Sequence, residues 1–305
     1  MAGSSIRVIC GPTAAGKSAV ALWLAQRHRA AIISADSRQV YRGFDIGTAK
    51  PTHQERLSVP HFGIDVLDPA QRYSAAAWAD DAERWIAHAQ AAGLEPLIVG
   101  GTGFYLRALF GTLFHEPALD PRRREALESF LRHMPTEELR RWCAALDPAR
   151  AHLGRTQLMR GVEIALLTGE RVSALHARAP RPPRRTARYL LVDPGPALAS
   201  RIAERVDRML DGGWITEAAR LAGQVPADAP AWKATGYDVV RALAAGAIER
   251  PAAREQVVIA TRQYAKRQRT WFRHQLDPRL VRTLDPTARD WQDRAEQWWH
   301  GATEA

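Results

Sequence analysis

Near the amino terminus the run Ile6 to Cys10 (IRVIC) leads directly into Gly11-Pro12-Thr13-Ala14-Ala15-Gly16-Lys17-Ser18. This octet matches G-x-x-x-x-G-K-S/T in full. The glycines let successive backbone N–H groups curl around a phosphate, and the helix that follows adds partial positive charge at its N-terminus. Such a loop needs a buried strand before it and a helix after it. IRVIC supplies the strand. Ser18 to Arg29 supplies the helix, with helical apolar spacing at Val20, Leu22, Leu24 and Ala25. Lys17 is expected to reach the terminal phosphate oxygens, and the Ser18 hydroxyl suits Mg²⁺. The motif specifies a phosphate-bearing ligand, not which one.

The same strand-then-helix rhythm continues. Ala31 to Ser34 reads as a second strand, Trp78 to Ala92 as an amphipathic helix ended by Gly93, and Leu97 to Val99 as a third strand closed by Gly100-Gly101. This predicts an α/β fold, a P-loop core with a parallel sheet flanked by helices. From residue 116 the rhythm breaks. Asp120 to Arg132, Thr136 to Leu146 and Thr156 to Leu167 read as three helices with no strand between them. Arg178 to Arg188, rich in Pro and Arg, reads as a linker or as a grip on an RNA backbone. Strand character returns at Tyr189 to Val192, and a helix over Ala197 to Leu210 stops at Gly212-Gly213. The expected organisation is the first part of the core in 1–115, a helical insertion in 116–188, and the core continuation with C-terminal helices in 189–305. A chain of 305 residues suits a core with such an insertion.

An NTP-hydrolysing enzyme would carry a carboxylate at the end of a second core strand to hold Mg²⁺. Leu97 to Val99 ends instead in Gly100-Gly101-Thr102-Gly103. Ala31 to Ser34 does lead to an acid, Asp36, which is either a site carboxylate opposite the phosphate loop or a turn aspartate. Lys plus Arg is 43 against 33 Asp plus Glu, a formal charge of +10 that favours a polyanionic partner. Arg262, Lys266, Arg269 and Arg273 share one helix face, either a cationic stripe toward RNA or diphosphate or a solvated surface. Two distant cysteines, Cys10 and Cys143, make neither a disulfide framework nor a zinc spacing. His133, His152 and His176 lack metal spacing and His115-Glu116 lacks the rest of a zincin motif, so no metal beyond Mg²⁺ is assigned. The tryptophans Trp291, Trp298 and Trp299 read as helix packing. No apolar run reaches membrane-spanning length and the first residues do not resemble a secretory signal, so a cytoplasmic monomer without a membrane partner is expected.

Further motifs are more specific. Asp36-Ser37-Arg38-Gln39-Val40-Tyr41-Arg42-Gly43, Asp45 to Pro51 (DIGTAKP), His61 to Asp65 (HFGID), Gly100 to Tyr105 (GGTGFY) and Thr261 to Gln268 (TRQYAKRQ) follow in order. With the phosphate loop they closely resemble the bacterial tRNA dimethylallyltransferases, also called tRNA isopentenyltransferases, over about residues 9–273. The resemblance implies transfer of a dimethylallyl group from dimethylallyl diphosphate to N6 of the adenosine 3′ to the anticodon, releasing diphosphate with help from Mg²⁺. It implies that the insertion helps hold the anticodon stem-loop of tRNA. It assigns catalysis to Asp36, as proton acceptor, and to Thr102. Diphosphate binding goes to Gly11, Thr13, Ala14, Ala15, Gly16, Lys17, Ser18 and Arg262. tRNA contacts go to Asp36, Ser37, Arg38, Gln39, Thr102, Arg124, Thr156, Gln157, Leu158, Met159, Arg160 and Lys233, and Mg²⁺ to Ser18.

Three positions depart from the family's usual pattern. Lys233 stands where an arginine is usual, Asp238 where a basic or polar residue is usual, and Arg38 where an apolar residue is common. None alters Asp36, Lys17 or Thr102. Two other readings stay open on the residues alone: a P-loop kinase of a nucleoside or other metabolite, and an RNA-binding protein whose phosphate loop is only structural.

Overall fold

The computed structural model of the chain describes residues 5–111, 117, 119–178 and 183–301. Met1 to Ser4, the His115-Glu116 pair with the expected boundary between 115 and 116, and residues 179–182 of the Pro/Arg stretch lie outside the described residues. In chain order the elements are β1 (Ile6–Cys10), α1 (Lys17–Arg27), β2 (Ala30–Ser34), α2 (His53–Ser58), β3 (His61–Phe62), α3 (Ala75–Ala91), β4 (Glu95–Gly100) and α4 (Gly103–Phe110). Four helices follow: α5 (Pro121–His133), α6 (Thr136–Leu146), α7 (Arg155–Thr168) and α8 (Val172–Arg178). Then come β5 (Ala187–Val192), α9 (Leu198–Asp211), α10 (Trp214–Ala222), α11 (Tyr237–Ala244), α12 (Arg250–Gln275), β6 (Val281–Leu284) and α13 (Trp291–His300).

The six strands form one parallel sheet in the order β3-β2-β4-β1-β5-β6. β1 lies between β4 and β5, with Ile9 opposite both Val99 and Leu190. Both sheet faces are covered, so the central strands are apolar throughout rather than alternating. Cys10 is fully buried there as a free thiol, and burial pushes it up to about 12, with nearby Lys17 opposing. The C-terminal tryptophans pack as expected: Trp298 and Trp299 are buried, and Trp291 meets Trp23 edge-on at 5.3 Å.

The strands β3 and β6 were not expected from the sequence. Each is a short edge strand, two and four residues long, too brief to carry a period of its own. α8 was also missed, because seven residues make under two helical turns.

The chain divides into two compact units, 1–110 with 184–305, and 111–183. The second is helical and encloses a small core of Leu131, Leu139, Cys143, Leu158 and Val162. Near its amino end the first unit's returning segment is spent on ion pairs: Arg184 meets Asp80 at 2.6 Å and Arg185 meets Glu83 at 2.8 Å. These two arginines of the Pro/Arg stretch therefore brace α3.

Leu158 is fully buried, which removes its side chain from any RNA contact. Leu158→Ala should open a cavity worth about 2–5 kcal/mol. Amide exchange across Arg155–Thr168 is then expected to accelerate about 30-fold or more, as read by hydrogen exchange with mass spectrometry.

Candidate active site

The carboxyl ends of three neighbouring strands meet at one cavity. The phosphate loop follows β1, Asp36 follows β2, and Thr102 follows β4, the strand between them. This is where open parallel sheets bind ligands. The cavity, about 460 Å³, is lined here by Thr13, Asp36, Arg38 and Thr102. Helix α9 adds Arg205, and α12 adds Tyr264, Arg267 and Gln268.

The loop geometry follows from its residues. Gly11 sits at φ 143°, and a Cβ there would stand 2.2 Å from the Val192 carbonyl oxygen, so only glycine lets β1 turn this close to β5. Ala14 is held at φ 62° and Gly16 at φ 102°, which turns successive N–H groups inward. Lys17 Nζ donates to the Pro12 carbonyl at 2.8 Å, which holds the ammonium over its own loop. Burial and the Arg205 guanidinium pull Lys17 down to about 8, while Asp36 and Cys10 oppose them. Ser18 is exposed at the start of α1.

Asp36 combines both readings of its position. Its Oδ1 accepts the N–H groups of Arg38 at 2.8 Å and Gln39 at 3.4 Å, an Asx turn. Among the described residues no hydrogen bond is made to Oδ2. Thr102 is tied to the same turn: its Oγ1 accepts the Ser37 N–H at 3.0 Å, and its own N–H reaches the Ala35 carbonyl at 3.1 Å. Tyr264 lines the same cavity, and its phenol is pushed up to about 12 by burial and the Asp36 charge.

Gln268 joins the two loops. Its Oε1 accepts the Thr13 N–H at 2.8 Å and its Nε2 donates to the Gly101 carbonyl at 2.9 Å. The side chain is 7% exposed. A Cβ at Gly101 would stand 2.3 Å from Nε2, so the clamp requires glycine there. The opposite wall is apolar: Ile202, Val206 and Met209 of α9, Trp214 of α10 and Val257 of α12.

The structure separates the residues nominated from sequence. Thr13, Asp36, Ser37, Arg38, Thr102 and Lys233 line the cavity, and Gly11, Ala14, Ala15, Gly16, Lys17 and Ser18 form the loop beside it. Lys233, the departure from arginine, is exposed at the cavity. Asp238 is exposed and Arg38 donates to the Pro230 carbonyl at 3.2 Å. Gln39 spends its amide on the Thr48 and Ala49 carbonyls and on the Ser34 hydroxyl, holding the 45–50 loop. Lys50 holds the same region from within, donating to the Tyr41 carbonyl and to Asp45 and Asp65.

Arg262 is exposed and is not among the cavity residues. The cavity face of α12 runs through Val257, Thr261, Tyr264, Gln268 and Trp271, and one residue onward turns the helix by about 100°. Arg205 and Arg267 supply the charge there instead. Of the expected stripe, Arg262, Lys266 and Arg273 are exposed, whereas Arg269 grips Asp193 with Nε at 2.8 Å. In the helical unit, Thr156 and Gln157 are exposed and Met159 packs against the small core. Arg124 and Arg160 both pair with the buried Glu163, Arg124 at 2.6 Å.

Sequence reasoning missed Arg205, and gave Gln268 and Tyr264 no role although their motif was quoted. Arg205 lies one turn from Ile202 and Met209 on α9, a face that reads as ordinary amphipathicity. Burial lowers its guanidinium, with Asp36 opposing, and it stays charged.

For Mg²⁺, the described residues offer no cluster of three His, Cys, Asp or Glu side chains at this cavity. A lone serine hydroxyl beside a phosphate cradle still fits the ion, which binds by few protein groups, substrate phosphate oxygens and water.

The chain is similar to known proteins in both sequence and fold. The IPP transferase family model matches residues 39–275 and an isopentenyl transferase model matches 4–62. The tRNA dimethylallyltransferase of Deinococcus radiodurans is 41% identical over 283 residues, covering 90% of this chain and 92% of that one. That of Bordetella petrii is 41% identical over 294 residues, covering 92% and 94%. The crystal structure of the Bacillus halodurans tRNA isopentenylpyrophosphate transferase superimposes with a TM-score of 0.68 at 31% identity, over 97% of this chain and 95% of that one. A eukaryotic dimethylallyltransferase captured acting on tRNA gives 0.81 at 25% identity, over 99% and 81%.

Two outcomes are expected. Gln268→Ala should leave the fold intact and lower kcat/KM by about 100-fold, the scale of a 1 Å misplacement; Gln268→Glu, which keeps only the acceptor, should not restore it in steady-state assays. Lys17 is charged below about 8 and neutral above it. Affinity for a diphosphate should therefore fall as pH rises through that value, measured by calorimetric titration with inorganic diphosphate.

Proposed function

Because the chain belongs to the IPP transferase family, that of the tRNA dimethylallyltransferases, we propose that it moves a dimethylallyl group from dimethylallyl diphosphate to N6 of the adenosine 3′ to the tRNA anticodon. One observation carries this reading. A phosphate loop, a carboxylate with one oxygen outside the turn, and an apolar wall line or border a single cavity. The apolar wall suits a prenyl chain, and the family identity favours alkyl transfer over a kinase.

In the reaction N6 attacks C1 of the allyl group. The N6–C1 bond forms, the C1–O bond breaks, and the electron pair of the broken bond leaves with diphosphate. The adenine amine is a weak nucleophile, its lone pair being delocalised into the ring. Asp36 Oδ2 takes the N6 proton during attack. Thr102, fixed by its bonds to Ser37 and Ala35, offers its hydroxyl beside the reacting centre. The loop N–H groups of residues 14 and 16–18, with Lys17 and Arg205, stabilise charge on the departing diphosphate without hydrolysing anything. Mg²⁺ held at Ser18 would neutralise further phosphate charge when bound. The apolar wall receives the prenyl chain and excludes water from C1.

The RNA side rests on charge. The +10 surplus and the exposed Arg262, Lys266 and Arg273 support a surface for a phosphate backbone. In the helical unit, Thr156 and Gln157 are the accessible candidates for stem-loop contact. An unpaired loop base leaves its stack at low cost, which suits a target next to the anticodon. Lys233 keeps a charge at the cavity but lacks the arginine fork.

Asp36→Ala should lower kcat by about 10²–10⁴-fold while tRNA still binds, read by prenyl transfer to tRNA and by filter binding. Wild-type turnover in that variant would overturn the base assignment. tRNA affinity should fall steeply with salt; nucleotide turnover without prenylated tRNA would favour the kinase.

A further inference from the structure

At the end of the sheet opposite the phosphate loop, three ligand-type side chains converge. His28 caps the carboxyl end of α1, and its ring stacks on Trp299 of α13 at 4.5 Å between centroids. Its Nε2 lies 2.7 Å from Glu296 Oε2. His300, one helical turn beyond Glu296, places its Nε2 3.6 Å from that same oxygen. The two imidazoles lie 5.3 Å apart, nearly perpendicular. One ligand atom from each residue lies within 4.8 Å of the other two. We propose that His28, Glu296 and His300 form a binding site for a borderline divalent transition-metal ion of the Zn²⁺ class.

Four features carry this. Ligand atoms about 2.0–2.2 Å from a tetrahedral ion stand about 3.3–3.6 Å from one another, so rotamer-scale adjustment forms the triangle. Two imidazole nitrogens and one carboxylate select Zn²⁺, Co²⁺ or Ni²⁺ over Mg²⁺, which prefers oxygen donors. Arg27 Nε holds the other Glu296 oxygen at 2.6 Å, the kind of outer contact that aims a ligating carboxylate. His300 is 66% exposed, so an ion can enter and water can complete the coordination shell.

The site is separate from the catalytic cavity. The 11 residues of α1 put about 16 Å of helix between His28 and the phosphate loop. The Trp299 carbonyl is held by Arg7 and Arg188, at the amino ends of β1 and β5. A bound ion would cross-link α13 to α1, joining residues 268 apart in the chain. The competing description is an Arg27–Glu296–His28 ion-pair cluster with no metal affinity.

Binding to the full-length protein, in excess Mg²⁺, separates the two. Zn²⁺ is titrated calorimetrically and Co²⁺ by its visible absorption, for wild type and for His300→Ala. That variant keeps the His28–Glu296 pair and the Trp299 stack, so its fold and its catalytic cavity are unchanged. One ion per chain is expected, bound at least 10-fold more weakly by the variant. At a concentration about 100 times Kd, Zn²⁺ should raise the wild-type melting midpoint by about 3–6 °C, and not that of the variant. Glu296→Gln should weaken binding as His300→Ala does. Equal binding by wild type and His300→Ala, or none by wild type, overturns the site.

Discussion

One amide fixes the geometry of the reaction centre. Gln268 accepts from the phosphate loop and donates to the loop after β4, so the two halves of the site cannot drift independently. Thr102 sits one residue beyond Gly101, and it in turn holds the Asp36 turn through Ser37. The chain of contacts runs from the phosphate loop to the Asp36 turn through three hydrogen bonds of 2.8–3.0 Å. Because Gln268 is buried, breaking one of its bonds would leave an orphaned donor or acceptor, which costs more than the bond itself contributes. That asymmetry makes the clamp stiff without any covalent link.

Much of this was legible in the primary structure, and the limits have physical causes. The phosphate loop was readable because its chemistry is local: eight consecutive residues with a strand before and a helix after. Asp36 was readable as an acid after a strand, yet spacing could not separate a site acid from a turn aspartate. In the structure Oδ1 closes the turn while the residue also lines the cavity. The fold class followed from strand and helix alternation. The edge strands β3 and β6 escaped because their pairing partners, not their own residues, make them strands.

Side-chain direction was the weakest inference. Arg262 and Thr261 are adjacent, but only Thr261 points into the cavity, since a helix turns about 100° per residue. Leu158 stands among four neighbours nominated for tRNA and is buried in a hydrophobic core, against which Met159 also packs. Arg205 and Gln268 act from helices whose sequence patterns report only burial. Their functional neighbours lie 60 to more than 250 positions away, so no window along the chain could have joined them. Lys50 is similar: one of only four lysines, it proved to be an internal staple for a loop.

The strand order also has a bearing on how the chain is made. β1 is the first strand synthesised, yet one of its two partners, β5, begins only at Ala187. β4 can pair with one side of β1 once Gly100 has emerged, while the other side waits for the whole helical unit to be translated. At about 5–20 residues per second that interval lasts several seconds. Throughout it an apolar strand presents an unpaired edge, a template for pairing with another chain. The helical unit, whose contacts are local, can collapse during the same wait. Assembly of the cavity thereby comes late in the life of the nascent chain, since α12, which carries Gln268, emerges after both, with only β6 and α13 to follow.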